Sequence, residues 1–339
     1  MNRSPFFIIG CQRSGTTLLR LMLNGHSKIA IPEEGGFWKP LLNRFKGNPE
    51  KKIKGSELKN YLKYIENNTQ FQMWKLDPKE TINKIREQSI CTLGELMSAF
   101  YHDYAIIYKK NIWGDKTPSF FRMVAVLDEL FPLTKFIHLV RDGRDIYLSW
   151  QKMKVQKRNV SVAALEWSQK IKRAKKGLSQ IKPERYIEIR YEDLVSEPEN
   201  TLNRICTFLQ VEYEPTMLNF WRTSDQFIGS HHSDLIFKPV SLNSVEKWKN
   251  KLTEKEISYY ESIAGPVLLS LGYDLQGNSV NKKSLPIDVC FELAYGLPLR
   301  LWTFFYTNVS LKIGSRFGIK MDTAGIKKAE GKRFRNKNQ

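Results

Sequence analysis

The chain has 339 residues, 41% hydrophobic and 26% charged, which is enough for a buried core and ordinary for a globular protein. A formal net charge of +19 points either to anionic partners (nucleotides, nucleic acid, anionic lipid, acidic glycans) or to a generally basic surface. Cys11, Cys91, Cys206 and Cys290 are widely spaced, with no CxxC and no Cys/His cluster, which argues against structural zinc and against a disulfide framework; a reducing compartment is expected.

The chain opens into Phe6-Phe7-Ile8-Ile9, too short an apolar run for a signal-peptide core, and it reads as the first strand of a cytoplasmic protein. Gly10-Cys11-Gln12-Arg13-Ser14-Gly15-Thr16-Thr17 follows and leads into a helix expected over Thr16–Gly25. The spacing is that of a phosphate loop, G-x-x-x-x-G, with Thr16 where phosphoryl-transfer enzymes of that class carry lysine. Loop and helix-start N–H groups converge on one point, the helix dipole adds about half a positive charge there, and glycine allows an anion to approach closely. Arg13 adds a charged fork, and Ser14, Thr16 and Thr17 add hydroxyls.

Residues 41–90 are lysine-rich and partly helical, and they read as an insertion covering the site. Helices are expected over Thr92–Ile107 and Phe120–Leu130, and a buried strand over Lys135–Val140. Arg141 leaves that strand in the run Arg141-Asp142-Gly143-Arg144-Asp145, and Ser149 follows eight residues later, about two helical turns on. An arginine and a serine so placed can hold one phosphate; an isolated Arg–Asp pair is otherwise a surface salt bridge. A helix over Ser161–Leu178, a strand over Tyr186–Ile189 and a helix over Pro198–Leu209 complete the alternation. The fold expected is α/β, a central parallel sheet flanked by helices, with both anchors at the carboxyl edge of the sheet. The main domain is expected over residues 1–280 and a C-terminal extension over 281–339. Within the extension, Leu285–Leu311 is apolar and aromatic but interrupted by Asp288, Glu292, Pro298 and Arg300, so a spanning helix is not expected. Lys320–Gln339 then carries seven Lys/Arg against two acids. Two readings stay open: a packed helix with a solvated tail, or contact with an anionic membrane surface from the membrane periphery.

Together the segments resemble the PAPS-dependent sulfotransferases, PAPS being 3′-phosphoadenosine-5′-phosphosulfate, and among them the tyrosylprotein-type and related bacterial members. Arg13-Ser14-Gly15-Thr16-Thr17-Leu18 is similar to the family's 5′-phosphosulfate loop, and Arg141 with Ser149 to its 3′-phosphate motif. Arg13–Glu34 matches in spacing through His26 and the Glu33-Glu34 pair. Arg190-Tyr191-Glu192-Asp193-Leu194 resembles the segment whose tyrosine helps bind the nucleotide. Phe237-Lys238-Pro239-Val240 with Val245-Glu246-Lys247-Trp248 resembles the late loop whose lysine contacts it, and Trp113-Gly114-Asp115-Lys116-Thr117-Pro118 resembles the lysine-proline segment. The likeness spans roughly residues 5–273. Two departures stand out: His232, followed by Ser233, occupies a position where the tyrosylprotein pattern has serine, and Met153 stands where the family has a further arginine.

The resemblance implies transfer of a sulfuryl group from PAPS to an acceptor hydroxyl, leaving PAP, with no metal. It implies the phosphosulfate in Arg13–Thr17, the 3′-phosphate on Arg141, Ser149 and Lys247, and Tyr191 on the nucleotide. Glu34 is the implied base, with Glu33 its rival; Lys116 and His232 or Ser233 are implied donors to the leaving oxygen. The acceptor class stays open among glycan, lipid-linked glycan, peptide tyrosine and small metabolite, and a homodimer stays open. His26 reads as a helix C-cap. Trp38, Trp74 and Tyr101 read either as core or as lining of an acceptor pocket. Two other readings are a phosphate-loop kinase or NTPase, which should carry lysine at Thr16, and a basic nucleic-acid-binding protein, for which no recognition motif is visible; no nucleic-acid partner is expected.

Overall fold

The computed structural model describes residues 4–88, 90–152, 158–223, 237–276 and 285–316, the side chains of residues 88 and 302–316 excepted. In chain order the elements begin with β1 (Phe6–Gly10), α1 (Thr16–Asn24), β2 (Ile29–Ala30), α2 (Lys39–Phe45), β3 (Ile53–Lys54), α3 (Gly55–Glu66), α4 (Thr69–Gln72) and α5 (Lys79–Gln88). There follow β4 (Ile90–Cys91), α6 (Leu93–Ile107), β5 (Ile112–Lys116), α7 (Val124–Leu130), β6 (Lys135–Val140), α8 (Gly143–Gln151), α9 (Val160–Leu178) and β7 (Tyr186–Arg190). The remainder is helical: α10 (Tyr191–Ser196), α11 (Pro198–Leu209), α12 (Trp248–Lys251), α13 (Glu254–Leu269) and α14 (Ile287–Arg316).

Five strands pair in the order β2-β5-β1-β6-β7, all parallel, so their carboxyl ends share one edge. β3 and β4 form a separate antiparallel pair at the two ends of the insertion, Ile53 opposite Cys91. The chain divides into two compact units, residues 1–141 with 170–243, and residues 142–169 with 244–339. Residue 280, where the sequence reading divides the chain, lies outside the described residues and within the second of these.

In the first unit the sheet separates two apolar clusters. One gathers Phe7, the aromatic residues of the insertion and those of α6; the other gathers Phe6, Ile8, α1 and α11. Alternation along β1 sends Phe7 to one face and Phe6 and Ile8 to the other, as strand geometry requires. Phe7 meets Trp113, Phe120, Phe131 and Phe136 at ring-centroid distances of 5.9–6.3 Å. α6 starts where a capping box stops the chain: Thr92 Oγ1 accepts from Glu95 N–H at 3.2 Å, and Thr92 N–H donates to Glu95 Oε2 at 2.6 Å. Trp38, Trp74 and Tyr101 are at most 2% exposed; Trp74 packs on Tyr101 and Tyr101 on Trp113, while Trp38 packs on Phe37 and Phe100, so these three are core and line no open acceptor pocket.

Two expectations change. The segment Phe120–Leu130 is helical only from Val124, after a 3₁₀ turn over Pro118–Arg122 set by Pro118. β5 was visible only as a motif, because Gly114, Asp115 and Lys116 break its apolar run; all five of its residues are nevertheless buried.

In the second unit, the Arg144 guanidinium bonds Asp142 Oδ2 at 2.7 Å and Glu261 Oε1 at 2.6 Å and lies 3.6 Å from the Trp248 ring centroid. Trp248 N–H donates to Asp145 Oδ1 at 3.0 Å. A buried cation with two carboxylates and an aromatic face thus fixes α12 on α8.

Replacing Phe7 by Ala should cost about 3–5 kcal/mol, since four rings lose their common neighbour. Urea denaturation of the full chain measures it; a loss below about 1 kcal/mol would contradict this account of the core.

Candidate active site

Strand β1 delivers Gly10 to the carboxyl edge of the sheet. A Cβ on Gly10 would stand 2.5 Å from Leu139 O, so only glycine lets the chain turn this close to β6. Ser14 N–H and Oγ–H both donate to Cys11 O, at 3.1 and 2.7 Å, so the Ser14 hydroxyl shapes the loop from within. Arg13 and Gly15 have φ of 75° and 94°, the left-handed region that folds the loop back over the start of α1. No side chain caps α1 and no acid lies in its first turn, which leaves its N-terminal field open to an anion. Thr16 is buried, Thr17 and Leu18 half-buried.

β6 ends one residue before Arg141. The Arg141 guanidinium lies 4.4 Å from the Tyr191 ring centroid, and its Nη1 donates to Arg13 O at 3.0 Å. A Cβ on Gly15 would fall 2.3 Å from the Tyr191 ring, so glycine is also what allows that ring to lie against the loop. Crowding by protein atoms, then repulsion from Arg141, holds the Arg13 guanidinium below its ordinary value. The structure therefore brings Arg13, Gly15, Arg141 and Tyr191 to one place.

A second group adjoins the loop through Thr17. Lys116, at the end of β5, is fully buried; its Nζ donates to Glu34 Oε1 at 2.7 Å and to Thr17 Oγ1 at 3.4 Å. The Glu34 side chain is 40% exposed. Glu33 turns the other way: it is 5% exposed and bonds the buried Arg20 of α1 at 3.1 Å. Of the two rivals, Glu34 alone faces Lys116 and solvent. His26 is a loop tie, its Nε2 2.9 Å from Glu212 O and its Nδ1 accepting from Lys28 N–H at 3.0 Å.

Sequence reasoning missed what lies beneath. Asp115 is fully buried, and its Oδ2 accepts from Tyr101 O–H at 2.6 Å, Thr117 Oγ1–H at 3.1 Å and Gly35 N–H at 3.3 Å. Thr117 Oγ1 also accepts from Gly35 N–H at 2.8 Å. Glu34 is thus held by a bracing carboxyl under the next residue. Burial pushes the Asp115 carboxyl up to about 6, against its hydrogen bonds and Lys116, which pull it down. Lys39, half-buried near Glu34, is pushed below its ordinary value by burial, with Glu34 opposing and Arg122 adding to the shift. Nothing in the sequence pattern marks Asp115, Lys39 or Arg122, since each gains its meaning from neighbours far along the chain.

In the second unit, Ser149 is half-buried on α8, and Lys247 is exposed immediately before the docked Trp248. His232 and Ser233, the expected donors to the leaving oxygen, and Met153 lie outside the described residues.

The family model described as the sulfotransferase family matches residues 5–215. The chain belongs to the PAPS-dependent sulfotransferase family. It is a transferase of the sulfuryl-moving class, which replaces the kinase or NTPase reading. Protein-tyrosine sulfotransferase A of Caenorhabditis elegans is 26% identical over 301 residues, 82% of this chain and 70% of that one. Human protein-tyrosine sulfotransferase 1 is 26% identical over 299 residues, 81% of this chain and 71% of that one. The Drosophila melanogaster protein-tyrosine sulfotransferase is 26% identical over 293 residues, 80% of this sulfotransferase and 52% of the fly protein. Among solved structures, the sulfotransferase domain from the curacin biosynthetic pathway superposes with a TM-score of 0.54 at 23% identity, covering 81% of this chain and 99% of that domain. The sulfotransferase domain of the Synechococcus PCC 7002 olefin synthase gives 0.53 at 24% identity, covering 81% and 96%. These two likenesses establish the fold.

The cytoplasmic placement expected from the sequence is overturned, because the protein-tyrosine sulfotransferases related to this chain are Golgi membrane-type enzymes. Among the described residues, no helix is long and apolar enough to cross a membrane.

Asp115 gives a pH test. Its folded pKa of about 6 lies above the ordinary 3.8, so between those values the folded state binds the extra proton. Stability from this group is therefore fully present below the ordinary value and lost as pH rises through the folded one. Relative to Asp115→Asn, the unaltered protein should lose up to about 3 kcal/mol as pH rises from about 3 to 7. Urea denaturation across that range measures the difference, and a flat difference contradicts the buried-carboxyl account.

Proposed function

We propose that this sulfotransferase moves the sulfuryl group of PAPS to the phenolic hydroxyl of a peptide tyrosine, with Glu34 as base and Lys116 as donor to the leaving oxygen. The observation that carries the reading is the single buried Lys116 ammonium touching both Glu34 and Thr17. It joins the one half-exposed carboxylate at the sheet edge to the start of the anion-accepting helix.

The uncapped α1 terminus, Gly15, Thr16 and Thr17 receive the phosphosulfate end of the donor, where the N-terminal field of the helix is open to an anion. Arg141, pinned on Tyr191, binds the 3′-phosphate. Glu34 takes the proton of the acceptor hydroxyl as the new O–S bond forms. The S–O bond to the 5′-phosphate breaks, and Lys116 donates to the oxygen that gains charge there as PAP departs. Positioning of the two ends in line supplies much of the remaining rate.

Two observations favour a tyrosine acceptor in an acidic setting. The curated relatives are named protein-tyrosine sulfotransferases. Lys39 lies within electrostatic reach of both Glu34 and Arg122, so positive charge gathers near Glu34, which suits acidic residues flanking the acceptor.

Glu34→Gln should lower kcat by about 10²- to 10⁴-fold while PAP affinity is kept, and full turnover in that variant would remove Glu34 as base. Arg141→Ala should weaken PAP binding by roughly 10- to 100-fold, read by calorimetric titration. Incubation with labelled PAPS and a panel of tyrosine peptides, glycans, lipid-linked glycans and phenolic metabolites tests the acceptor. Label on acidic tyrosine peptides is the expected result; label confined to a glycan overturns the acceptor assignment and leaves the donor chemistry standing.

A further inference from the structure

Helix α14 is built the wrong way round for a surface helix of a globular protein, which turns its apolar stripe inward. Asp288, Glu292 and Arg300 each hydrogen-bond another part of the second unit. Tyr259 O–H donates to Asp288 Oδ2 at 3.0 Å, Ser161 Oγ–H to Glu292 Oε2 at 2.8 Å, and Arg300 Nε–H to Glu166 Oε1 at 2.6 Å. Gly296 lets the helix sit close, since a Cβ there would stand 2.5 Å from Asn159 Nδ2. The neighbouring side of the helix, about 100° round, is apolar and open: Ile287 is 70% exposed, Phe291 69%, Tyr295 75% and Leu299 49%. These four recur every fourth residue and so line one side of the helix. Glu292 and Arg300, which break the hydropathy of this segment in sequence, are tied inward, while Ile287, Phe291, Tyr295 and Leu299 form an apolar stripe on the exposed side. A contiguous exposed apolar surface of this kind marks an interaction site.

We propose that α14 lies on an anionic membrane surface, its Ile287–Leu299 stripe inserted among the acyl chains at the headgroup boundary. Charge complementarity selects the occupant. In sequence the segment is followed by the aromatic residues Trp302, Phe304, Phe305 and Tyr306, and then by Lys320–Gln339 with its seven Lys/Arg against two acids. A second copy of the chain would bring two such basic segments, each on a chain of net charge +19, to the same face. Anionic lipid instead neutralises the tail while the stripe leaves water, the pairing by which interfacial helices bind.

The full chain is tested for co-sedimentation with vesicles of equimolar phosphatidylcholine and phosphatidylserine, and with vesicles of phosphatidylcholine alone. Binding to the mixed vesicles, weakened by added salt, is expected. The double variant Phe291→Glu/Tyr295→Glu should bind at least about tenfold more weakly, because two large apolar side chains no longer leave water. Both positions are exposed and far from Glu34 in sequence and role, so thermal melting and sulfuryl transfer to a soluble acceptor should be unchanged. Three outcomes overturn the proposal: no binding of the unaltered chain to the anionic vesicles; equal binding by the double variant; or a dimer in sedimentation velocity that the double variant converts to monomer, which would make a second copy the occupant.

Discussion

The arrangement depends on a fully buried ammonium. Lys116 has no access to water, and a charge so placed is tolerated only with close, well-oriented partners. Those partners are Glu34, after β2, and Thr17, in the first turn of α1. Satisfying one cation therefore brings the start of α1 and the loop after β2 together over the end of β5. The adjacent residues work to the same end from the other side: Asp115 holds Gly35 N–H, and Arg20 holds Glu33. Two consecutive glutamates are thus pulled apart, one into the core and one toward solvent.

The phosphate side is set by steric closeness more than by charge pairing. Gly10 and Gly15 stand where a methyl group would collide with Leu139 O and with the Tyr191 ring. Tyr191 in turn carries Arg141 on its face, and Arg141 bonds back to the loop at Arg13 O. Burial first, and repulsion from Arg141 second, hold Arg13 below its ordinary value. An anion beside both would offset that repulsion, which favours phosphate binding there.

Charge placement also explains why the C-terminal helix is neither a spanning segment nor an ordinary amphipathic one. Asp288, Glu292 and Arg300 interrupt the apolar run, yet each is held by a hydrogen bond, to Tyr259, Ser161 and Glu166 respectively. Ile287, Phe291 and Tyr295 beside them stay exposed.

The amino-acid order alone determined the elements whose signals are local. The glycine loop before α1, the apolar strand Lys135–Val140, the capping box at Thr92 and the proline start of α11 lie within a few residues of the structure they specify. It also carried the family resemblance, because the loop and the Arg141 segment keep fixed spacing. The tertiary structure decided what depends on distant partners. β5 is a buried strand despite Gly114, Asp115 and Lys116, because Phe6, Tyr101 and Glu34 receive those residues. Glu33 and Glu34 are chemically identical neighbours, and only Arg20 and Lys116 tell them apart. Which side of α14 faces outward follows from hydrogen bonds to residues more than a hundred positions earlier as well as to nearby Tyr259. Periodicity reports which residues share a face; the energy of burying that face against a particular neighbour exists only once the neighbour is in place.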